Sequence, residues 1–251
     1  MTELPLIKND PEKKLQKVLN DFLQVLKERC GNNLKSVVLY GGAAKENYIF
    51  GNSNTNILFV FESVDLHVLD SIAVTFQKAM GDFRLSPFTL TVSEITHAKD
   101  VFAVKLFDIQ QYNVLLYGED YFAPLKFDYA HLRFIAEQEL RNLLSRMKFF
   151  YIRNFDLPSA LLATAKKGIT TLLINANVLL FLSKGTYYKS RREIIENLKS
   201  HEYLDASILN ELLATKKADS GTGAEKTKLN YDQLMVQCKQ LIKAFQLLEK
   251  K

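Results

Sequence analysis

Apolar positions set the first element. Leu15, Val18, Leu19, Phe22, Leu23 and Leu26 recur at three- and four-residue spacing, which places them on one face of a helix. Asp10 and Pro11 suit its N-cap and first position, and Gly31 suits its end. The period then shortens. Lys35–Tyr40 (KSVVLY) reads as a strand that runs straight into Gly41-Gly42, and Asn56–Phe61 (NILFVF) reads as a second strand, apolar enough to be buried on both faces. A helix over about 65–80 ends at Gly81. Pro87–Val92 is a third strand, a helix covers about 94–109, and Tyr112–Tyr117 is a fourth strand closed by Gly118.

Beyond about Phe127 the strand signals stop. Tyr129, Leu132, Ala136, Leu140, Leu143, Met147 and Phe150 form a stripe along one long helix, as in an antiparallel bundle. Pro158 opens a second long helix to about Ser183. Shorter helices follow at about 189–200 and 203–216, then a polar, mobile loop over 217–227 and a last helix over 229–248. The predicted fold is therefore α/β plus all-α: a small mixed-sheet domain over residues 1–125, then an antiparallel helical bundle over 126–251.

Charge changes at the same point. Residues 1–125 carry 12 basic and 15 acidic side chains, net −3, whereas residues 126–251 carry 21 and 13, net +8. A basic half can attract nucleic acid or nucleotide phosphate, but Lys166-Lys167, Arg191-Arg192 and Lys216-Lys217 are scattered, which disfavours nucleic acid. Two cysteines are too few for a disulfide framework or a cysteine-rich zinc site and read as reduced thiols of a cytoplasmic protein. The N-terminal sequence shows no signal-peptide core. The longest apolar stretch, Ile169–Leu182, contains Asn175 and Asn177 and reads as a buried helix, with no membrane partner expected. None of the four histidines stands at a metal-binding spacing. Gly221–Thr227 lacks both the preceding strand and the Gly-Lys pair of a phosphate loop.

The chemically informative stretch is VVLYGGAAKENYIFGNSNTNILFVF, Val37 to Phe61: strand, Gly41-Gly42, then Ser53-Asn54-Thr55-Asn56-Ile57 opening the second strand, with eleven residues between Gly42 and Asn54. It resembles the signature of the polymerase-beta-type nucleotidyltransferase superfamily, in which Gly-Gly or Gly-Ser ends a strand and Asp-x-Asp opens the next. Residues 100–120 and the following HLRFIAEQELRNLL are similar to the elements that close that domain and begin an appended helical bundle. The layout resembles uncharacterised bacterial nucleotidyltransferase-domain-containing proteins.

The resemblance implies nucleotide binding at Gly41, Gly42, Lys45 and Ser53. Backbone amides would approach a triphosphate closely, and two carboxylates on one side of the strand would hold magnesium. In this chain those carboxylates are Asn54 and Asn56, and Phe88-Thr89-Leu90-Thr91 supplies no third acid. The expectation is a nucleotidyltransferase-like pseudoenzyme with no metal site and no required cofactor. It would bind a nucleotide or another phosphorylated small molecule, or act as a regulatory subunit with a protein partner or a second copy.

Two alternatives stay open. One is an active, Mg2+-dependent enzyme that transfers a nucleoside monophosphate to a small molecule or protein, with Glu137 or Glu139 as general base. The other is a nucleic-acid-binding module using the basic helical half. Glu46, Glu62 and Asp65 are the acids expected to flank the cleft.

Overall fold

Two apolar runs form the centre of the first unit, β1 (Leu34–Tyr40) and β2 (Thr55–Phe61). They pair antiparallel, and within them every residue is buried except the half-buried Lys35 and Asn56. The computed structural model describes residues 13–45, 48–199, 204–215 and 223–248. Asp10, Pro11, Glu46, Ser200, His201, Tyr203 and Lys216 thus lie outside the described residues, as does most of the proposed loop (217–222). The chain divides into two units between Phe127 and Asp128.

In the first unit, β3 (Leu85–Thr91) pairs parallel to β2, and β4 (Asn113–Gly118) pairs antiparallel to β1. The sheet order is β3-β2-β1-β4. Strand alternation sends Val37, Leu39, Ile57, Phe59 and Phe61 to one face, where they pack with α1 (Lys14–Cys30) and α2 (Leu66–Phe83). Phe22, Phe59, Phe76 and Phe83 form an aromatic cluster there, with ring centroids 4.8–6.0 Å apart. Val38, Tyr40, Leu58, Val60 and Leu90 face the other way. They meet α3 (Val92–Val101), α4 (Ala103–Gln111) and the buried Phe122.

Two boundaries differ from the sequence expectation. The second helix does not stop at Gly81: Ile72, Phe76, Ala79 and Phe83 continue one buried face, and the contacts of Phe83 carry α2 past the glycine. The single helix expected over 94–109 is two. Thr91 and Glu94 form a capping box that starts α3, and the chain breaks at Phe102. In a continuous helix Phe102 would share the face of Ile95 and Ala98. The break leaves it exposed and turns Ala103, Val104, Leu106, Phe107 and Ile109 inward together.

The second unit is helical: α5 (Tyr129–Arg153), α6 (Pro158–Lys184), α7 (Arg191–Leu198), α8 (Ala206–Thr215) and α9 (Ala224–Leu248). Residues 224–227, expected in a loop, are the first turn of α9, with Thr227 buried on its inner side. Asp128 caps α5 by accepting from the Ala130 and His131 amides at 2.9 and 3.4 Å. The polar residues inside α6 are braces. Asn177 exchanges two hydrogen bonds with the Tyr188 backbone, and Asn175 donates to Glu139 Oε2 at 3.0 Å. By length and composition α6 is long and apolar enough to cross a membrane, and 61% of its most apolar part is buried inside the protein. Gly168 allows α6 and α9 to pack closely, since a Cβ there would lie 2.9 Å from Leu234 Cδ2.

Candidate functional site: a polar corner of the sheet

Sheet topology gathers the sequence motif. Because β1 and β2 run antiparallel, Tyr40 at the end of β1 lies opposite Asn56 at the start of β2. Because β3 runs parallel to β2, its start lies beside the same place, with Leu85 paired to Thr55 and Ser86 to Asn56. Segments 40–42, 54–56 and 84–86 therefore meet at one corner.

Gly41 begins a single 3-10 turn, Gly41–Ala43, with φ +69°, in the region that favours glycine. A Cβ at that position would fall 2.7 Å from Asn56 Nδ2. The structure thus brings Gly41 and Asn56 into direct neighbourhood, and only a residue without a side chain leaves the Asn56 amide where it is. Asn56 is half-buried and Asn54 exposed. The chain between them is firmly held: Thr55 Oγ1 donates to the Phe83 carbonyl at 2.7 Å and shares a hydrogen bond with Tyr48 Oη at 2.9 Å, and its amide donates to the Arg84 carbonyl at 3.0 Å. Ser53 braces its own loop, accepting from the Ile49 amide at 3.1 Å.

Lys45 lies one turn beyond Gly41 and its amide donates to the Gly41 carbonyl at 3.0 Å. The side chain is buried, and its ammonium forms an ion pair with Asp108, itself buried on α4. Burial, with the Asp108 charge adding to it, pushes the Tyr40 phenol up to about 12. Lys105, also on α4, places its ammonium 3.5 Å from the Phe88 ring centroid and 5.8 Å from that of Tyr40.

Arg84 completes the corner. It follows α2 in the left-handed conformation (φ 54°, ψ 46°), and its guanidinium donates to Asn54 Oδ1 at 3.5 Å. Sequence reasoning misses it by ending the helix ahead of Gly81. It also misses Asp108, although one carboxylate within the apolar stretch Ala103–Ile109 signals a buried partner.

Two of the three acids expected to flank the cleft, Glu62 and Asp65, are elsewhere. Glu62 pairs with Lys35 at 3.2 Å and Asp65 caps α2 by accepting from the Val68 amide at 2.8 Å, both past the far end of β2. Glu62 is six positions along the chain from Asn56, about 20 Å of extended strand. In the second unit, Glu137 accepts from Arg141 at 2.6 and 2.9 Å and from Gln246 at 3.3 Å, and pairs with Arg133 at 3.6 Å. Glu139 is the carboxylate that receives Asn175.

Among the described residues no group of three or more His, Cys, Asp or Glu is placed to hold a metal ion. Asn54 and Asn56 offer neutral amide oxygens and Ser86 a hydroxyl, whereas magnesium is bound through carboxylates and phosphates. The Arg84 cation beside Asn54 adds repulsion. This donor set does not fit a magnesium site.

No family model and no curated protein matches the chain. Among solved structures it is similar to the spectinomycin adenyltransferase AAD(9) from Enterococcus faecialis, determined with ATP and spectinomycin. The TM-score is 0.60 at 12% identity, and the match covers 89% of this chain and 98% of that one. At this identity the likeness is one of fold. The chain has a nucleotidyltransferase fold, with a small mixed four-stranded sheet followed by a helical region.

Proposed function

We propose that this protein binds a nucleotide or another phosphorylated small molecule at the corner formed by Gly41, Gly42, Asn54 and Asn56, and does so without metal-dependent nucleotidyl transfer. The reading assigns ligand handling to residues 1–125 and a supporting role to the helical domain. One observation carries it: at the corner where the fold's chemistry calls for carboxylates, the side chains are two amides, a hydroxyl and a guanidinium. Amide and backbone N–H groups can donate to phosphate oxygens, but they cannot neutralise a magnesium ion. In this reading Lys45 and Ser53 serve the ligand indirectly. Lys45 anchors the turn after Gly41 and Ser53 braces the loop before Asn54. The similarity to an adenyltransferase determined with ATP supports a nucleotide as the first ligand to try.

The test is isothermal titration of the full chain with ATP, in excess EDTA and in excess magnesium. Binding that persists in EDTA is the expected result. Binding that requires magnesium, accompanied by pyrophosphate release, would overturn the reading.

A further inference from the structure

Resting on that reading, we infer that Arg84 is the residue that grips the ligand's phosphate chain, a guanidinium doing the work that a metal ion would otherwise do. Its placement is set by the sheet. The parallel register Thr55–Leu85 and Asn56–Ser86 brings Arg84 alongside Asn54. The bond from the Thr55 amide to the Arg84 carbonyl fixes its backbone at the mouth of β2.

Electrostatics point the same way. Arg84 is exposed, and among the described residues no carboxylate pairs with it. Its guanidinium makes a 3.5 Å bond to a neutral amide, at the long limit for a hydrogen bond. The other arginine of residues 1–125, Arg29, donates to the Ser71 carbonyl at 2.8 Å. An aspartate at position 54 would neutralise Arg84; Asn54 leaves the positive charge standing. With no acid at position 54 or 56, the corner attracts anions.

Backbone conformation adds to this. Residue 84 occupies the left-handed position after a helix, where glycine costs least. A long cationic side chain is kept there against a backbone penalty, as is common at functional positions. The guanidinium presents several N–H donors in a planar fork that matches phosphate oxygens two at a time. Asn54 uses its carbonyl on Arg84, which leaves its NH2 group as a further donor at this corner.

The ligand class that follows is a metal-free nucleoside di- or triphosphate. Magnesium should weaken its binding, because it removes the negative charge that Arg84 recognises. The experiment titrates ATP, tripolyphosphate and adenosine into wild type, Arg84→Gln and Arg84→Lys, all in EDTA, with thermal unfolding of each variant alongside. Arg84→Gln is expected to weaken ATP and tripolyphosphate at least tenfold, with Arg84→Lys intermediate, unfolding unchanged, and any adenosine binding untouched. Equal ATP and tripolyphosphate affinity in wild type and Arg84→Gln would overturn the role of Arg84 while leaving the proposed function standing. Failure of the wild type to bind either phosphate compound in EDTA would overturn both.

Discussion

Lys45 and Arg84 are two cations near the same motif, and the protein treats them in opposite ways. Lys45, the one a sequence reading selects for phosphate, is buried and paired with a buried carboxylate from α4. Arg84, which no motif marks, stands exposed on a neutral amide. A positive charge near a glycine turn is thus insufficient to define an anion site. What matters is whether the fold has already supplied the counter-charge. The buried pair holds the turn in place; the exposed guanidinium leaves its charge to be matched by something outside the chain.

The largest effect that separates the two lies in stability. Asp108→Asn leaves the Lys45 ammonium buried without its carboxylate, and losing one partner of a buried pair costs about 3–5 kcal/mol. Lys45→Met combined with Asp108→Leu removes both charges and should recover most of that loss. Arg84→Gln, at an exposed position, should stay within about 0.5 kcal/mol of wild type. Urea unfolding of the wild type and these three variants reads all of this. A mild Asp108→Asn would show that Lys45 finds water or another partner, and the contrast between the two cations would collapse.

A second separation is in pH dependence. The Tyr40 phenol is held near 12 in the folded protein, against an ordinary value of 10. The fold therefore favours the protonated phenol. This contribution is complete below pH 10 and is lost as pH rises through about 12. At about 1.4 kcal/mol per unit it amounts to roughly 2–3 kcal/mol. Asp108→Asn removes one of the two causes and should bring Tyr40 part of the way down, while Arg84→Gln should leave it unmoved. Tyrosinate absorbance of each variant, differenced against Tyr40→Phe, isolates this group from Tyr231, which burial also raises to about 12.

How far the sequence foretells this corner depends on the range of the forces involved. β1 and β2 are readable to within a residue because continuous apolar runs end at glycine and asparagine, and the neighbourhood of Gly41 and Asn56 follows from pairing those two strands. The end of α2 is not, because the pull of Phe83 into an aromatic cluster outweighs the helix cost of Gly81. That small extension is what hides Arg84. Asp108 is hidden differently: its partner lies 63 positions away, and only the packing of α4 over the sheet brings them together. Glu62 and Asp65 are near the motif in sequence but past the wrong end of the strand.

The next effect reverses the charge of the corner. Asn54→Asp with Asn56→Asp places one carboxylate beside Gly41 and another within reach of Arg84. Manganese binding, followed by electron paramagnetic resonance, should strengthen at least tenfold, about 1.4 kcal/mol. Adding Arg84→Gln should strengthen it further, since the carboxylate introduced at position 54 would then be free of the guanidinium. Unchanged manganese affinity in both variants would mean that the two positions do not converge on one site.

The smallest expected effect is also the most discriminating, because its sign differs between stability and binding. At φ 54° an arginine carries a steric cost that glycine does not, about 1 kcal/mol in the left-handed region. Arg84→Gly should therefore raise the unfolding free energy by up to that amount, while deleting the guanidinium and weakening metal-free ATP at least tenfold. A residue retained only for packing would lose stability on replacement, and one of no consequence would leave ATP affinity alone. A gain in stability coupled to a loss of phosphate affinity is the signature of a side chain kept for a ligand at the expense of its backbone.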